Sequence, residues 1–278
     1  MALEEKFAYM VNFGTMDYSS CLNLQKILGN MRRTEEIPDL ILYGSHHPVI
    51  SFGGSRLNNG FTENFLQEIK FIYGNNNLNT IKKHLETLGI KFYDSTINGN
   101  QTRGGGTAYS GPGQLAVYPI VDYEKIAGIN AKLRYKNLVD DVMVDTMNLF
   151  KINAKSVKVS DKLPVEDDER KDRKDVWVEK DGKPYKIGGK AIYFSGNIAS
   201  HGFSIYVNRE SVTHFDKVLI CGYSHEQLGA TSMEHELERK LNLSDVRRSA
   251  IESLRKKFGY EAIRAIDLDK LLPHEVVV

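Results

Sequence analysis

The chain has 278 residues, 41% hydrophobic and 26% charged, which is too apolar for a disordered polypeptide and suits one large domain or a domain with an appendage. Thirty-seven basic residues against thirty-six acidic ones leave a net charge of +1, so overall charge gives no reason to expect nucleic acid as a partner. No apolar run approaches the roughly 18–20 residues of a membrane span. The opening MALEEKFAYMVNFG lacks the basic flank and apolar stretch of a secretory signal. Two cysteines, Cys21 and Cys221, make no disulfide framework, and a reducing cytoplasm is the compartment these features imply.

Residues 6–13 alternate as a strand, and 17–32 place Tyr18, Cys21, Leu22, Gln25, Leu28 and Met31 near one helical face. The apolar runs 39–44 and 48–54 read as strands. Residues 79–88 predict a helix stopped by Gly89, and a strand resumes at 90–94. A strand over 114–123 contains Pro119, which lacks a ladder donor and predicts an edge or a bulge. The longest helix is expected over 134–151, with Val139, Val142, Met143, Thr146, Met147 and Phe150 inward. The charged stretch 155–185 reads as an exposed loop feeding the apolar 176–178, followed by a turn at Asp181-Gly182. A strand through KIGGKAIYF pairs with 202–208, and a last helix runs from after Ser244 to about Lys257, before Gly259. Strands and helices mixed without a repeating βαβ unit argue for an α+β fold.

The densest candidate for chemistry is the run from Arg103 to Gln114, RGGGTAYSGPGQ. Its glycines let the backbone approach a ligand and aim N–H groups into one space, though a mobile loop would look the same. No Gly-Lys-Ser/Thr follows, so it is not a P-loop, and the next element is a strand, which excludes the dinucleotide fingerprint. Cys221 precedes a glycine. A lone cysteine is either an inert buried hydrophobe or, in an electropositive setting, a nucleophile. Cys21, inward on a helix, has the inert reading. Lys186 stands before two glycines, which leave room for a ligand beside the backbone or simply mark a solvated strand end. His201, before Gly202, suits a ligand, a base or a hydrogen-bonded core residue, and His46 and His47 before Pro48 suit a turn. The histidines and cysteines show no zinc spacing.

Several segments, in order over residues 6–233, resemble the lipoyl(octanoyl) transferase family, whose fold is shared with lipoate and biotin protein ligases. They are HHPVISFGG, RGGGTAYSGPGQLAVYPIVD, DVWV, KIGGKA, HGFSIYVN and FDKVLICGYSHEQLGATSM. The resemblance implies a catalytic domain over 1–240 built on a mixed, largely antiparallel sheet flanked by helices, with 241–278 as a helical appendage. It implies octanoyl transfer from acyl carrier protein to a lysine of lipoyl domains, those of 2-oxoacid dehydrogenases and the glycine cleavage H protein, without cofactor or metal. Cys221 matches the acyl-thioester cysteine. Lys186 matches the lysine that lowers its pKa and acts as general base, a role suited to an amine held neutral by a crowded apolar setting.

The resemblance assigns the acyl pocket to Arg103, Gly104, Gly105, Gly106, Thr107, Ala108, Tyr109 and Ser110, with Gly189, Lys190, Ala191 and Gly202, Phe203, Ser204. Gly105, Gly188 and Gly189 would leave the acyl slot open, and His46 and His201 are possible polar participants. Three positions depart from the family pattern: Ser110 replaces a usual histidine, Lys190 an apolar residue and Ile220 a proline. Strand alternation puts Lys186 and Lys190 on one side, so only the motif favours Lys186. The charged 155–175 segment suits a solvated insertion or a docking loop. An ATP-dependent lipoate ligase is the alternative activity, and a non-catalytic acyl-carrier or lipoyl-domain binding module is the alternative class.

Overall fold

The structure, a computed structural model, describes residues 6–53, 60–94, 103, 106–158, 161 and 174–272. β1 (Phe7–Met16) leads through α1 (Tyr18–Arg33) to β2 (Asp39–His46) and β3 (Val49–Phe52). Helices α2 (Glu63–Tyr73) and α3 (Leu78–Thr87) precede β4 (Lys91–Asp94), β5 (Ala108–Ser110) and β6 (Gln114–Asp122). Helices α4 (Tyr123–Ala127) and α5 (Ala131–Leu149) follow, then β7 (Lys155–Lys158), β8 (Lys174–Lys180), β9 (Lys183–Ser195) and β10 (Ile198–Tyr206). The chain continues through β11 (Gly229–Ala230), α6 (Met233–Leu237), α7 (Leu243–Phe258) and β12 (Ala262–Ala265).

The main sheet runs β12-β1-β2-β6-β10-β9-β8-β7, with β11 added parallel to β9. β12, β1 and β2 are mutually parallel, and the pairs from β2 through β7 are antiparallel. A small sheet orders β4-β3-β5. The fold is α+β, with a mixed, largely antiparallel sheet flanked by helices.

Strand alternation sorts β6 cleanly. Leu115, Val117 and Val121 join the core under α5 and α7, while Ala116, Tyr118 and Ile120 face α1. On the α1 side, the part of the sheet beyond α1 meets the small sheet with α2 and α3, where Trp177 and Tyr206 pack with Phe61, Phe65 and Phe215. The site lies on this second face.

Helix α2 escaped the sequence reading, although Thr62 caps it by accepting from the Phe65 N–H and Gly74 ends it at φ +77. Pro119 lies in a central strand and not at an edge. Pairing of β6 with β10 holds at Val121–Ala199 and Val117–Phe203 and lapses between them. There His201 takes φ +54 and donates its backbone N–H to Gln25 Oε1 at 2.7 Å. The ladder yields where proline has no donor, and a helix side chain satisfies the freed amide.

The segment after residue 240, expected as an appendage, instead closes the core. Val246, Ala250, Leu254 and Phe258 of α7 are buried against α5, β12 pairs with β1, and Tyr260 donates to Asp39 Oδ2 at 2.6 Å. An amphipathic helix reads the same in sequence whether its apolar face meets this core or another body.

Candidate active site

The site is built from β8, β9 and the turn after residue 219. Trp177 pairs with Lys186 and Val176 with Gly188, so Ile187 is an extra residue in β9, a β-bulge. The bulge inverts the alternation on its far side. Lys186 therefore shares a face with Asp175 and Trp177, while Lys190, paired with Phe203, turns to the helical face and forms an ion pair with Asp140 of α5. The expectation that both lysines point the same way fails for this reason.

Cys221 and Gly222 are the central residues of a two-residue turn closed by Ile220 and Tyr223, which exchange both backbone hydrogen bonds at 3.0 Å. Both central residues have positive φ, +54 and +86, the signature of a type I′ turn. Glycine suits the second position, whereas Cys221 carries backbone strain at the first. The turn aims Cys221 Sγ to 3.6 Å from Lys186 Nζ and 3.3 Å from Asp175 Oδ2, and Lys186 Nζ lies 2.7 Å from that same oxygen. The segment beyond the turn clamps the lysine strand. β11 pairs with Tyr185 and Lys186, Thr231 donates its N–H to the Lys186 carbonyl, and Ser232 caps α6.

Burial by itself would lower the Lys186 pKa. The Asp175 carboxylate, Cys221 and Tyr206 together outweigh it, and the pKa is raised. The Asp175 contact therefore favours the ammonium form of Lys186. Its Nζ also lies 5.8 Å from the centre of the Trp177 ring. Cys21 is buried, accepts from Gln25 Nε2 at 3.7 Å, and burial pushes its thiol up to about 12.

These groups open into a cleft of about 880 Å³. Arg103, Gly106, Thr107, Ala108, Tyr109 and Ser110 line one wall. Gly189, Lys190 and Ala191 line another, with Gly202, Phe203 and Ser204 beside them. Gly104 and Gly105 lie outside the described residues. Arg103 donates to the Ser51 carbonyl at 2.6 Å and to its hydroxyl at 2.9 Å, fixing the glycine-rich segment to β3. His46 and His201 also line the cleft. His46 donates Nδ1–H to the Met16 carbonyl at 2.9 Å, so its Nε2 accepts from Tyr118 at 2.8 Å, and burial lowers its pKa. Gly188 does not shape the slot: a Cβ there would meet the Ser204 carbonyl oxygen at 3.0 Å and Met143 Sδ at 3.3 Å, on the helical face.

Sequence reasoning missed Asp175, Tyr206, Tyr18 and Tyr118, all of which line the cleft. Asp175 ends the charged 155–175 segment and opens the DVWV motif. Its position two residues before Trp177 was the available signal, because i and i+2 share a strand face. Among the described residues, no cluster of three or more His, Cys, Asp or Glu is placed to hold a metal, and no helix is long and apolar enough to cross a membrane.

Residues 83–255 match the family model described as the lipoyl protein ligase A/B catalytic domain. The chain belongs to that family. It is an enzyme, and curated relatives within its reach are named for acyl transfer. An octanoyltransferase of Rubrobacter xylanophilus is 29% identical over 247 residues, covering 88% of this chain and 91% of the relative. An octanoyltransferase of Caldicellulosiruptor saccharolyticus is 29% identical over 271 residues, covering 94% of each chain. A crystal structure of lipoate-protein ligase A bound with ATP superposes at TM-score 0.59 with 13% identity, over 95% of this chain and 92% of that one. At that identity the family member shares the fold, and the likeness carries no statement about ATP.

Proposed function

We propose that this enzyme transfers an octanoyl group from acyl carrier protein to a lysine of lipoyl domains through a thioester on Cys221. The observation that carries the reading is the position of Cys221 Sγ, 3.6 Å from the Lys186 ammonium and open to the cleft. A thiol is mostly protonated near neutral pH, and a cation at this distance stabilises negative charge developing on sulfur. Lys186 acts through that charge. Gly222 and the Gly106–Thr107 backbone border the same cleft and offer N–H groups for the carbonyl oxygen as it becomes an oxyanion. Ala116, Ile192 and Leu219 supply apolar wall for the acyl chain.

The donor carrier and the acceptor domain are each too large to occupy one mouth together, so they use the site in turn. The acceptors in this reading are the lipoyl domains of 2-oxoacid dehydrogenases and the glycine cleavage H protein, and the compartment is the cytoplasm. Intact-protein mass spectrometry after incubation with octanoyl-acyl carrier protein tests the reading. One octanoyl group should appear on Cys221, and the isolated adduct should octanoylate a lipoyl domain without ATP in a ping-pong scheme. An ATP-dependent ligase would form no such adduct and would stall without ATP.

A further inference from the structure

Asp175 Oδ2 is the shared acceptor of the site, taking hydrogen bonds from Lys186 Nζ at 2.7 Å and Cys221 Sγ at 3.3 Å. The other carboxylate oxygen accepts the Lys190 backbone N–H at 3.3 Å, so both ends of the group are held. We propose that Asp175 is a third catalytic residue, the carrier that takes the proton from Cys221 and returns it to the departing sulfur. The inference rests on the transfer reading above and replaces a neutral lysine as base.

A proton acceptor needs a free lone pair. An ammonium has none, and the Asp175 contact keeps Lys186 an ammonium. Tyr206, facing the pair from β10, is kept protonated: burial raises its pKa, only partly offset by Lys186, and Asp175 raises it further. The Lys190 side chain is turned away to Asp140. Asp175 Oδ2 is a basic atom within hydrogen-bond reach of the thiol. The Lys186 ammonium lies 2.7 Å from that oxygen, so the nearby sulfur does not meet an unbalanced negative charge.

The steps balance. As the Cys221 sulfur bonds to the thioester carbonyl carbon, its S–H bond breaks and the proton moves to Asp175 Oδ2, while the carbonyl electron pair moves to oxygen. When the carbonyl re-forms, the bond to the carrier's sulfur breaks and that sulfur takes the proton from Asp175. In the second half, the neutral amine of the acceptor lysine attacks the Cys221 thioester. Its excess N–H proton passes to Asp175 and then to the Cys221 sulfur as that sulfur leaves, giving the amide and the free thiol.

Asp175→Asn keeps the shape and an oxygen for Lys186 but removes the base. Transfer from octanoyl-acyl carrier protein to a lipoyl domain should fall by about 10²–10⁴-fold. Alkylation of Cys221 by iodoacetamide at pH 7 should instead become several-fold faster, because the Lys186 charge is no longer shared with a carboxylate. Movement in opposite directions is the signature. A fall in both, or transfer unchanged, overturns the proposal.

The unaltered enzyme gives a second readout that does not depend on the variant folding. Single-turnover acylation should be nearly flat between about pH 6 and 8, because a proton passed within the Cys221–Asp175 pair is not lost to solvent. A tenfold rise per pH unit overturns the proposal, because it means that a proton is lost to solvent before the sulfur attacks. If unaltered protein forms no octanoyl adduct, the transfer reading fails and this proposal falls with it. An adduct formed normally in both unaltered protein and Asp175→Asn overturns the role of Asp175 alone.

Discussion

Lys186 and Gly189 point the same way from β9 although they are three positions apart, and a Cβ on Gly189 would come within 2.9 Å of Lys186 Cε. Regular alternation would put them on opposite faces; the extra residue Ile187 brings them together. The first glycine of the pair admits α5 on one face, and the second leaves room for the lysine on the other. The lysine chain is flexible and can move aside, so Gly189→Ala should fold normally. Displacing Nζ by about an ångström should slow acylation by up to about 10²-fold, read by single-turnover mass spectrometry alongside an unchanged melting temperature.

The two lysines of this strand should separate by phenotype. Lys186→Met should abolish most of the acylation, because it leaves the Cys221 sulfur beside Asp175 with no cation. Lys190→Met should leave activity per folded molecule nearly intact but strand Asp140, whose pKa burial already raises against the opposing pull of Lys190. Breaking a buried pair from one side costs about 3–5 kcal/mol. Chemical denaturation combined with activity corrected for folded fraction distinguishes them, and a catalytic defect confined to Lys190→Met would refute the bulge argument.

Cys221→Ser should lose both the octanoyl adduct and transfer, since a hydroxyl beside one ammonium is a far weaker nucleophile than a thiol. Cys21→Ser should keep both. Its thiol is buried and raised to about 12, so alkylation of native protein should label Cys221 and spare Cys21, as peptide mapping would show.

Leu254→Ala tests whether the C-terminal helix belongs to the core. Leu254 is wholly buried among residues of α5 and the sheet, and truncation should cost about 2–5 kcal/mol in one cooperative transition. An appendage would instead show a separate, earlier transition with the acylation site intact.

His46 sets an acid limit on stability. Burial lowers its folded pKa below the usual 6.5, so the unfolded chain binds a proton first as pH falls. Its contribution is fully retained above about pH 6.5 and is lost progressively below it, down to the folded pKa. His46→Phe, which keeps a ring beside Phe13 and Tyr118, should lose less melting temperature than the unaltered protein between pH 7 and 5. An identical pH dependence in the two would dismiss His46 as the group responsible.

Local chemistry determined a good deal of this protein. Periodicity marked α1, α3, α5 and α7 and the strands β2, β6, β9 and β10, because apolar spacing reports directly on a buried face. The order of short motifs marked Cys221, Lys186 and the glycine-rich wall, because glycine and cysteine in those settings have few uses. What the sequence left open was decided by pairing across strands. A bulge one residue long separates Lys186 from Lys190, and nothing in KIGGK distinguishes an extra residue from a regular one. Pro119 fits a central strand only because the Gln25 side chain takes up the His201 amide from a distant helix. Asp175 belongs to the site only because β8 lies beside β9; along the chain it is one more charge at the end of a charged run. Direction, partner and burial are properties of contacts between distant segments, so they exist only once the sheet has formed.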